Sequence, residues 1–286
     1  GLTSITVYGD SIADEAFKNC EDLKTVVIAN DLTTLGKSAF QDCKRLESFT
    51  ANATLEEIGA GAFLGCKKLT NVQLPDGAIR IGDDAFANSG LTTLKLSANT
   101  ELIYLGISIF RGAKADVNVD VSLSTLYIKD GNTVYNNDKD TLVLVLPSSL
   151  LTTYTVGAEV EEIGSGAFSS LNKLKTVYFE NNSALKYIGE NAFAGCIALN
   201  LCDIPANEIT VSDYAFYSTN ALKAMDLSNV ISVGAYAFSE SAIKEADLSS
   251  ATLVDEGAFY AALSLSNVVI NENAVLGDYA FAESNV

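Results

Sequence analysis

The sequence predicts a solenoid, with coils of roughly two dozen residues stacked on one another. A parallel β-sheet is expected on one face and short helical turns on another. Three observations carry that prediction. An Ala-Phe pair recurs at Ala16-Phe17, Ala39-Phe40, Ala62-Phe63 and Ala85-Phe86, and again at Ala167-Phe168, Ala192-Phe193, Ala215-Phe216, Ala237-Phe238, Ala258-Phe259 and Ala280-Phe281. Ile109-Phe110 is a degenerate copy, and within each unbroken run the Phe residues fall 21 to 25 apart. Five places before each Phe stands an aliphatic side chain: Ile12, Leu35, Ile58, Ile81, Leu105, Ile163, Ile188, Val211, Val233, Val254 and Leu276. After the Phe comes a third signal, L-x-x-V-x-L, clear at Leu23-Val26-Ile28, Leu69-Val72-Leu74, Leu174-Val177-Phe179 and Leu265-Val268-Ile270, and weaker at Leu46-Phe49-Ala51 and Ile243-Ala246-Leu248.

Each element of a coil has its own reason. The last two apolar positions of L-x-x-V-x-L are two apart and so share one side of a strand. Gly follows the aliphatic residue at Gly36, Gly59, Gly82, Gly164 and Gly189, which suggests a tight bend or a positive φ. The Ala-Phe pair is expected on a short helical turn. Asp83, Asp84, Glu190, Asp213 and Asp278 precede it, where a helix start favours negative charge. One coil alone cannot bury its apolar side; stacked coils line up Leu, Val, Ile and Phe in continuous columns. About twelve coils are expected, making a leucine-rich-repeat type of solenoid.

One stretch breaks the period. A weak strand motif lies at Lys114-Val117-Val119 and the next clear one at Leu151-Tyr154-Val156. Between them Asp130-Gly131-Asn132 and Asn136 to Asp140 read as turns, and Val134-Tyr135 and Leu142 to Leu146 as strands, a hairpin-like irregular repeat. The chain thus divides into leucine-rich repeats at 1–120, a hairpin insertion at 121–150 and further repeats at 151–286, all one continuous solenoid. It opens on Leu2-Ile5-Val7 and stops five residues after Phe281 without a polar capping unit, so the natural protein is expected to extend beyond one or both ends.

The run I-G-x-x-A-F-x-x-C-x-x-L-x-x-V-x-L, here Ile58-Gly59 through Leu74, resembles the repeat of the bacterial BspA-like leucine-rich repeat family. The resemblance covers nearly the whole chain. It implies a right-handed solenoid with a strand-lined face, and an extracellular or cell-surface location, since members are typically surface-exposed or secreted. Several act as adhesins toward host proteins. The resemblance names no ligand and carries no catalytic residues.

Composition narrows the chemistry. Apolar residues make up 48% and charged residues 19%, which excludes a disordered chain. No apolar run is long enough to span a bilayer. A formal net charge of −18 argues against nucleic acid and anionic membrane surfaces. The chain has no His, which removes Ser-His-Asp triads and Cys/His zinc sites. Glycoside hydrolysis by two carboxylates is the one chemistry left comfortably open, and nothing in the sequence pairs such carboxylates. The expectation is a chain that is not an enzyme and needs no cofactor or metal. Four Cys share the register three after the Phe, Cys20, Cys43, Cys66 and Cys196; free, mostly buried thiols are expected, with no disulfides.

The x positions of L-x-x-V-x-L face away from the core and supply the candidate ligand-binding residues. One column runs through Tyr178, Asp203, Asp226 and Asp247, and another through Lys175, Lys223 and Lys244, so that Lys223 and Lys244 are expected beside Asp226 and Asp247. Such a charged stripe suits a protein or glycan, and the family resemblance implies that it belongs to a host or neighbouring cell. The leading functional expectation is therefore a protein-interaction or adhesion module. The alternative is a rigid structural spacer presenting another domain away from the cell surface, in keeping with the absence of Trp and the scarcity of Arg.

Overall fold

The computed structural model describes residues 1–29, 31–96, 104–113, 116–148 and 150–286. The chain forms two compact units, Gly1–Asn137 with Leu146–Ser149, and Asp138–Val145 with Leu150–Val286. Both are built from the same coil, with about eleven turns in all. The described residues carry eleven Phe turns, not twelve, because the stretch after Asp120 spends its length on a hairpin.

Each regular coil holds two short strands. The L-x-x-V-x-L strands of the first unit form two parallel ladders, Ser4–Val7 with Thr25–Ile28 and Ser48–Thr50, then Asn71–Gln73 with Thr93–Lys95 and Asn118–Asp120. Lys114 of the weak motif lies outside the described residues. In the second unit the corresponding strands are Thr153–Val156, Thr176–Phe179 and Leu201–Cys202, then Glu245–Leu248 with Asn267–Ile270. Strands centred on the second aliphatic position make their own ladders. In the first unit one runs from Ser11–Ile12 to Tyr104–Leu105, and in the second one runs from Thr141–Val145 to Val275–Leu276. In the second of these, Leu142 pairs with Ile163 and so takes the place of the missing aliphatic residue. The hairpin belongs to the first unit: Tyr127–Asp130 runs antiparallel to Thr133–Asn136 around Gly131, at φ +56°.

The core is a stack of phenyl rings. Phe17, Phe40, Phe63 and Phe86 lie 5.3, 5.7 and 5.5 Å apart and nearly parallel. Phe168, Phe193, Phe216, Phe238, Phe259 and Phe281 repeat the stack at 4.7 to 5.3 Å. The separation follows from the spacing of paired strands, about 4.8 Å, because each ring hangs from an equivalent point on successive coils. Full burial of one such side chain stabilises the fold by about 1.5–3 kcal/mol.

The Ala-Phe segment is not helical. Positive φ recurs two residues before the Phe, as at Ser38 (55°) and Asn191 (54°), and two residues after it, as at Asp42 (57°) and Ser218 (57°). A helix cannot pass through such residues. Alternate N–H groups instead leave the coil: Ser38, Phe40 and Asp42 donate to the carbonyls of Ala60, Ala62 and Leu64 on the next coil, each at 2.8 Å. The intervening N–H groups close tight turns within the coil, as from Cys43 to the carbonyl of Phe40 at 3.1 Å. The turn side of the solenoid is thus hydrogen-bonded from coil to coil as the strands are. The acids expected at helix starts act across coils as well. Asp83 Oδ1 accepts the Ile107 N–H at 2.9 Å and the Tyr104 O–H at 2.8 Å, and Asp213 Oδ1 accepts the Ala235 N–H at 2.8 Å.

The glycine after the aliphatic residue opens the expected tight bend, the Ala62 N–H closing on the Gly59 carbonyl at 3.1 Å, and neighbour packing adds a further cause. Positive φ is not its cause; a side chain there would strike the neighbouring coil. A Cβ on Gly82 would come within 2.4 Å of the Ala60 backbone nitrogen. Small residues at this register let the coils close to strand spacing. Four of the five cysteines are buried, Cys20 being half-buried, and three of them bond across coils. The Cys43 and Cys66 thiols donate to the carbonyls of Phe17 and Phe40 on the preceding coil, both at 3.1 Å, and Cys196 does the same to Phe168 at 3.0 Å. Burial pushes the Cys43 and Cys196 thiols up to about 12. No helix among the described residues is long and apolar enough to cross a membrane.

Candidate functional site

All seven candidate residues, Lys175, Tyr178, Asp203, Lys223, Asp226, Lys244 and Asp247, are exposed on the L-x-x-V-x-L side of the second unit. The backbone determines which of them meet. The strand ladder ends at Leu201–Cys202 and resumes at Glu245–Leu248, and the coil between, Lys223 to Asp226, makes no strand. A shallow hollow of about 490 Å³ opens there. Asp203, Lys223, Asp226 and Lys244 line it together with Glu245, over a floor that includes Cys202 and Met225. Lys175, Tyr178 and Asp247 lie outside it.

The hollow carries both signs of charge without internal pairing. No ion pair joins Lys223 or Lys244 to Asp226 or Asp247 among the described residues, although the sequence placed them as neighbours. The two aspartates turn back on their own chain instead. Asp226 Oδ1 accepts the Ser228 hydroxyl at 2.7 Å and the Ser228 N–H at 3.0 Å, which hold its carboxyl below the usual range. Asp247 Oδ1 accepts the Ser249 N–H at 3.0 Å. Each closes an Asx turn onto the residue two places on. Burial raises the Cys202 thiol, so at neutral pH it is a protonated core group rather than a nucleophile. The hollow therefore offers ammonium groups and carboxylates for charge and hydrogen bonding. Among the described residues no three His, Cys, Asp or Glu side chains converge as metal ligands.

Two features were not read from the sequence. A second open hollow, about 600 Å³, lies in the first unit beside the other break in the ladder, between Ser48–Thr50 and Asn71–Gln73. Glu47, Thr50, Asn71, Gln73 and Lys95 are among the residues lining it. The signal was present, because the break falls at the weak motif Leu46-Phe49-Ala51, where a Phe takes the central place and packs edge-on to Phe63 at 5.0 Å. The second feature is a row of tyrosines on the turn side of the last coils. Tyr214 and Tyr236 stack at 5.3 Å, both at φ 54°. The signal was Tyr recurring two places before Phe, a register that gains meaning only once its φ is known.

Comparison with known proteins supports the same architecture. The chain is similar to the pneumococcal vaccine antigen PcpA at 23% identity, over 96% of this chain and 67% of that one, with a TM-score of 0.68. It is similar to a leucine-rich repeat protein of Eubacterium ventriosum ATCC 27560 at 18% identity, over 99% and 83%, with a TM-score of 0.58. A leucine rich cell surface protein of Faecalibacterium prausnitzii A2-165 gives 21% identity, 93% and 78%, and a TM-score of 0.53. No curated protein matches the chain. The repeat pattern of the BspA type leucine rich repeat region matches six copies across residues 2–118 and 161–286. Relatives built this way are in general non-enzymatic scaffolds, and the repeat makes protein-interaction or structural modules. With the repeat matched over both spans, and its Phe and aliphatic columns stacked as that repeat requires, the chain belongs to the BspA-type leucine-rich repeat family.

Proposed function

We propose that this chain is a non-enzymatic protein-interaction or adhesion module of a cell-surface or secreted bacterial protein, meeting a host or neighbouring-cell protein or glycan. The observation that carries the reading is the hollow at the ladder break. The fold stacks its apolar side chains inward, yet here Asp203, Lys223, Asp226 and Lys244 stand around one depression with their charges not paired to each other. Groups left in that state supply specificity to a partner at low cost to the fold. Support also comes from the similar proteins, one named as a vaccine antigen and one as a cell surface protein.

The test is a panel of purified matrix proteins and glycans presented to the full chain and to a Lys223→Ala/Asp226→Ala/Lys244→Ala variant. A specific binder weakened about tenfold or more by the triple substitution is expected. A binder indifferent to it would remove the hollow from the account. The second reading, a rigid spacer presenting another domain away from the cell surface, draws on the coil-to-coil hydrogen bonds of the turn side. It is favoured if no member of the panel binds.

A further inference from the structure

The turn side of the second unit's last coils differs in chemistry from every other turn. Residues 212–220, 234–242, 255–263 and 277–284 hold five tyrosines and six acids, and not one Lys or Arg. In the first unit four of the five corresponding turns carry Lys or Arg. The difference is positional as well as compositional. In the first unit Lys18, one after its Phe, bonds Glu15, two before it, at 2.7 Å. In the second unit Tyr217 and Tyr214 occupy those two places and pack edge to face at 6.0 Å. Between coils, Arg111 clamps Asp84 through Nε at 2.9 Å and Nη2 at 2.7 Å. Tyr260 and Tyr236 occupy that pair of places, at 6.3 Å. Aromatic pairs thus replace ion pairs slot for slot.

The carboxylates beside these rings are held without a cation. Tyr236 O–H donates to Glu256 at 2.8 Å, Tyr217 O–H donates to Glu240 at 3.2 Å, and Tyr260 bonds Glu283. A phenol satisfies one lone pair and leaves the negative charge in place. Tyr214 and Tyr236 sit at positive φ, a region costly for a bulky residue, while the next coil uses Gly257 at the same place. The Tyr236 ring lies over that glycine, where a Cβ would come within 2.5 Å of it. Flat rings at low conformational cost, framed by oriented carboxylates, suit a cationic side chain by ring contact and charge together.

We propose that this edge, built from Tyr214, Tyr217, Tyr236 and Tyr260 with Glu240 and Glu256, docks an extended Lys- or Arg-rich segment of a partner protein. The partner's cations take the part that Lys18 and Arg111 play in the first unit. Charge complementarity identifies the occupant: residues 212–286 hold ten acids against two lysines, Lys223 and Lys244, and both lysines belong to the strand side. The proposal concerns a different side of the coil from the hollow and does not rest on it.

The test is a titration of the full chain with a labelled hexa-arginine peptide at physiological salt, run in parallel with a neutral hexasaccharide. Tyr214→Gly/Tyr236→Gly removes two rings and no charge, and places at φ 54° the residue the fold uses at Gly257. Glu240→Gln/Glu256→Gln removes two charges with the shape kept. Glu208→Gln/Glu272→Gln removes two exposed acids elsewhere in the unit. Peptide binding weakened about tenfold by each of the first two pairs, and less than about twofold by the third, is the expected pattern. No binding by the unaltered chain overturns the proposal. So does equal weakening by all three pairs, which marks bulk charge attraction. So too does a hexasaccharide that binds, loses the edge with the rings and keeps it without the charges.

Discussion

Lys18, Glu15, Asp84 and Arg111 in the first unit and Tyr217, Tyr214, Tyr236 and Tyr260 in the second hold the same places on the same backbone. The first set neutralises itself, and the second leaves its neighbouring carboxylates charged. The balance of whole units follows suit. The first has twelve Lys and Arg against seventeen Asp and Glu, a net −5, and the second has six against nineteen, a net −13. Identical coils thus carry unlike surfaces. The lesson is a division of labour within the repeat: interior columns and coil-to-coil hydrogen bonds set the fold, and residues one after and two before each Phe are released to vary.

The comparison breaks most easily at the core, where it asserts sameness. Phe63 and Phe193 are both fully buried within stacks, at 5.5–5.7 Å and 4.7–4.9 Å from their ring neighbours. Phe63→Ala and Phe193→Ala are each expected to cost about 3–5 kcal/mol, read by denaturant unfolding with hydrogen exchange locating the weakened unit. A loss under about 1 kcal/mol in either would show that the two cores are not built alike.

Salt sharpens the difference at the surface. Five side-chain ion pairs are described in the first unit, Lys18–Glu15, Lys44–Glu21, Arg45–Asp22, Arg80–Glu57 and Arg111–Asp84, and one in the second, Lys186–Glu161. Each is exposed and worth about 0–1 kcal/mol, and screening weakens it. The same screening relieves the self-repulsion of a net −13. Raising ionic strength is therefore expected to stabilise the second unit relative to the first, by on the order of 1 kcal/mol in hydrogen-exchange opening energies. Equal responses would mean that net charge per unit does not govern them.

These effects also show what a reader of the sequence can and cannot see. The columns of Phe40, Ile58 and Val72 are legible because burial forces a period. The turn that carries Phe40 is not, because Ser38 and Asp42 adopt positive φ as ordinary polar residues, and glycine marks the same places by type in only some coils, as at Gly61, Gly65 and Gly257. A helical turn was the simpler expectation from Ala-Phe alone, and the bonds to the next coil overrule it. Gly82 was legible as the start of a bend, while its close approach to Ala60 was not, since that contact belongs to the neighbouring coil. The hollow follows the same logic. Outward-facing positions identify Lys223, Asp226 and Lys244, while the loss of the strand at that coil, which brings them together, is a property of three coils at once.

Alkali probes the comparison most finely. Thiols and phenols are neutral when protonated, so a folded-state pKa raised above the unfolded one means that the folded chain holds its proton longer. Stability from such a group is complete below the unfolded pKa and is lost as pH rises through the folded one. The buried thiols divide evenly, with Cys43 and Cys66 in the first unit and Cys196 and Cys202 in the second, all raised by burial. Both units are therefore expected to weaken together from about pH 9 upward. The phenols divide unevenly. In the first unit burial raises Tyr127. In the second, burial raises Tyr217, and hydrogen bonds to Glu256 and Glu283 raise Tyr236 and Tyr260. Above about pH 10, the second unit should lose stability faster, with phenolate absorbance appearing as hydrogen exchange accelerates in residues 212–263. In Glu256→Gln the negative charge that helps to hold the Tyr236 proton is gone, and phenolate should form at lower pH. A titration unchanged by that substitution would mean that the tyrosines and carboxylates of this edge act independently, and the contrast with the ion-paired edge of the first unit would reduce to composition.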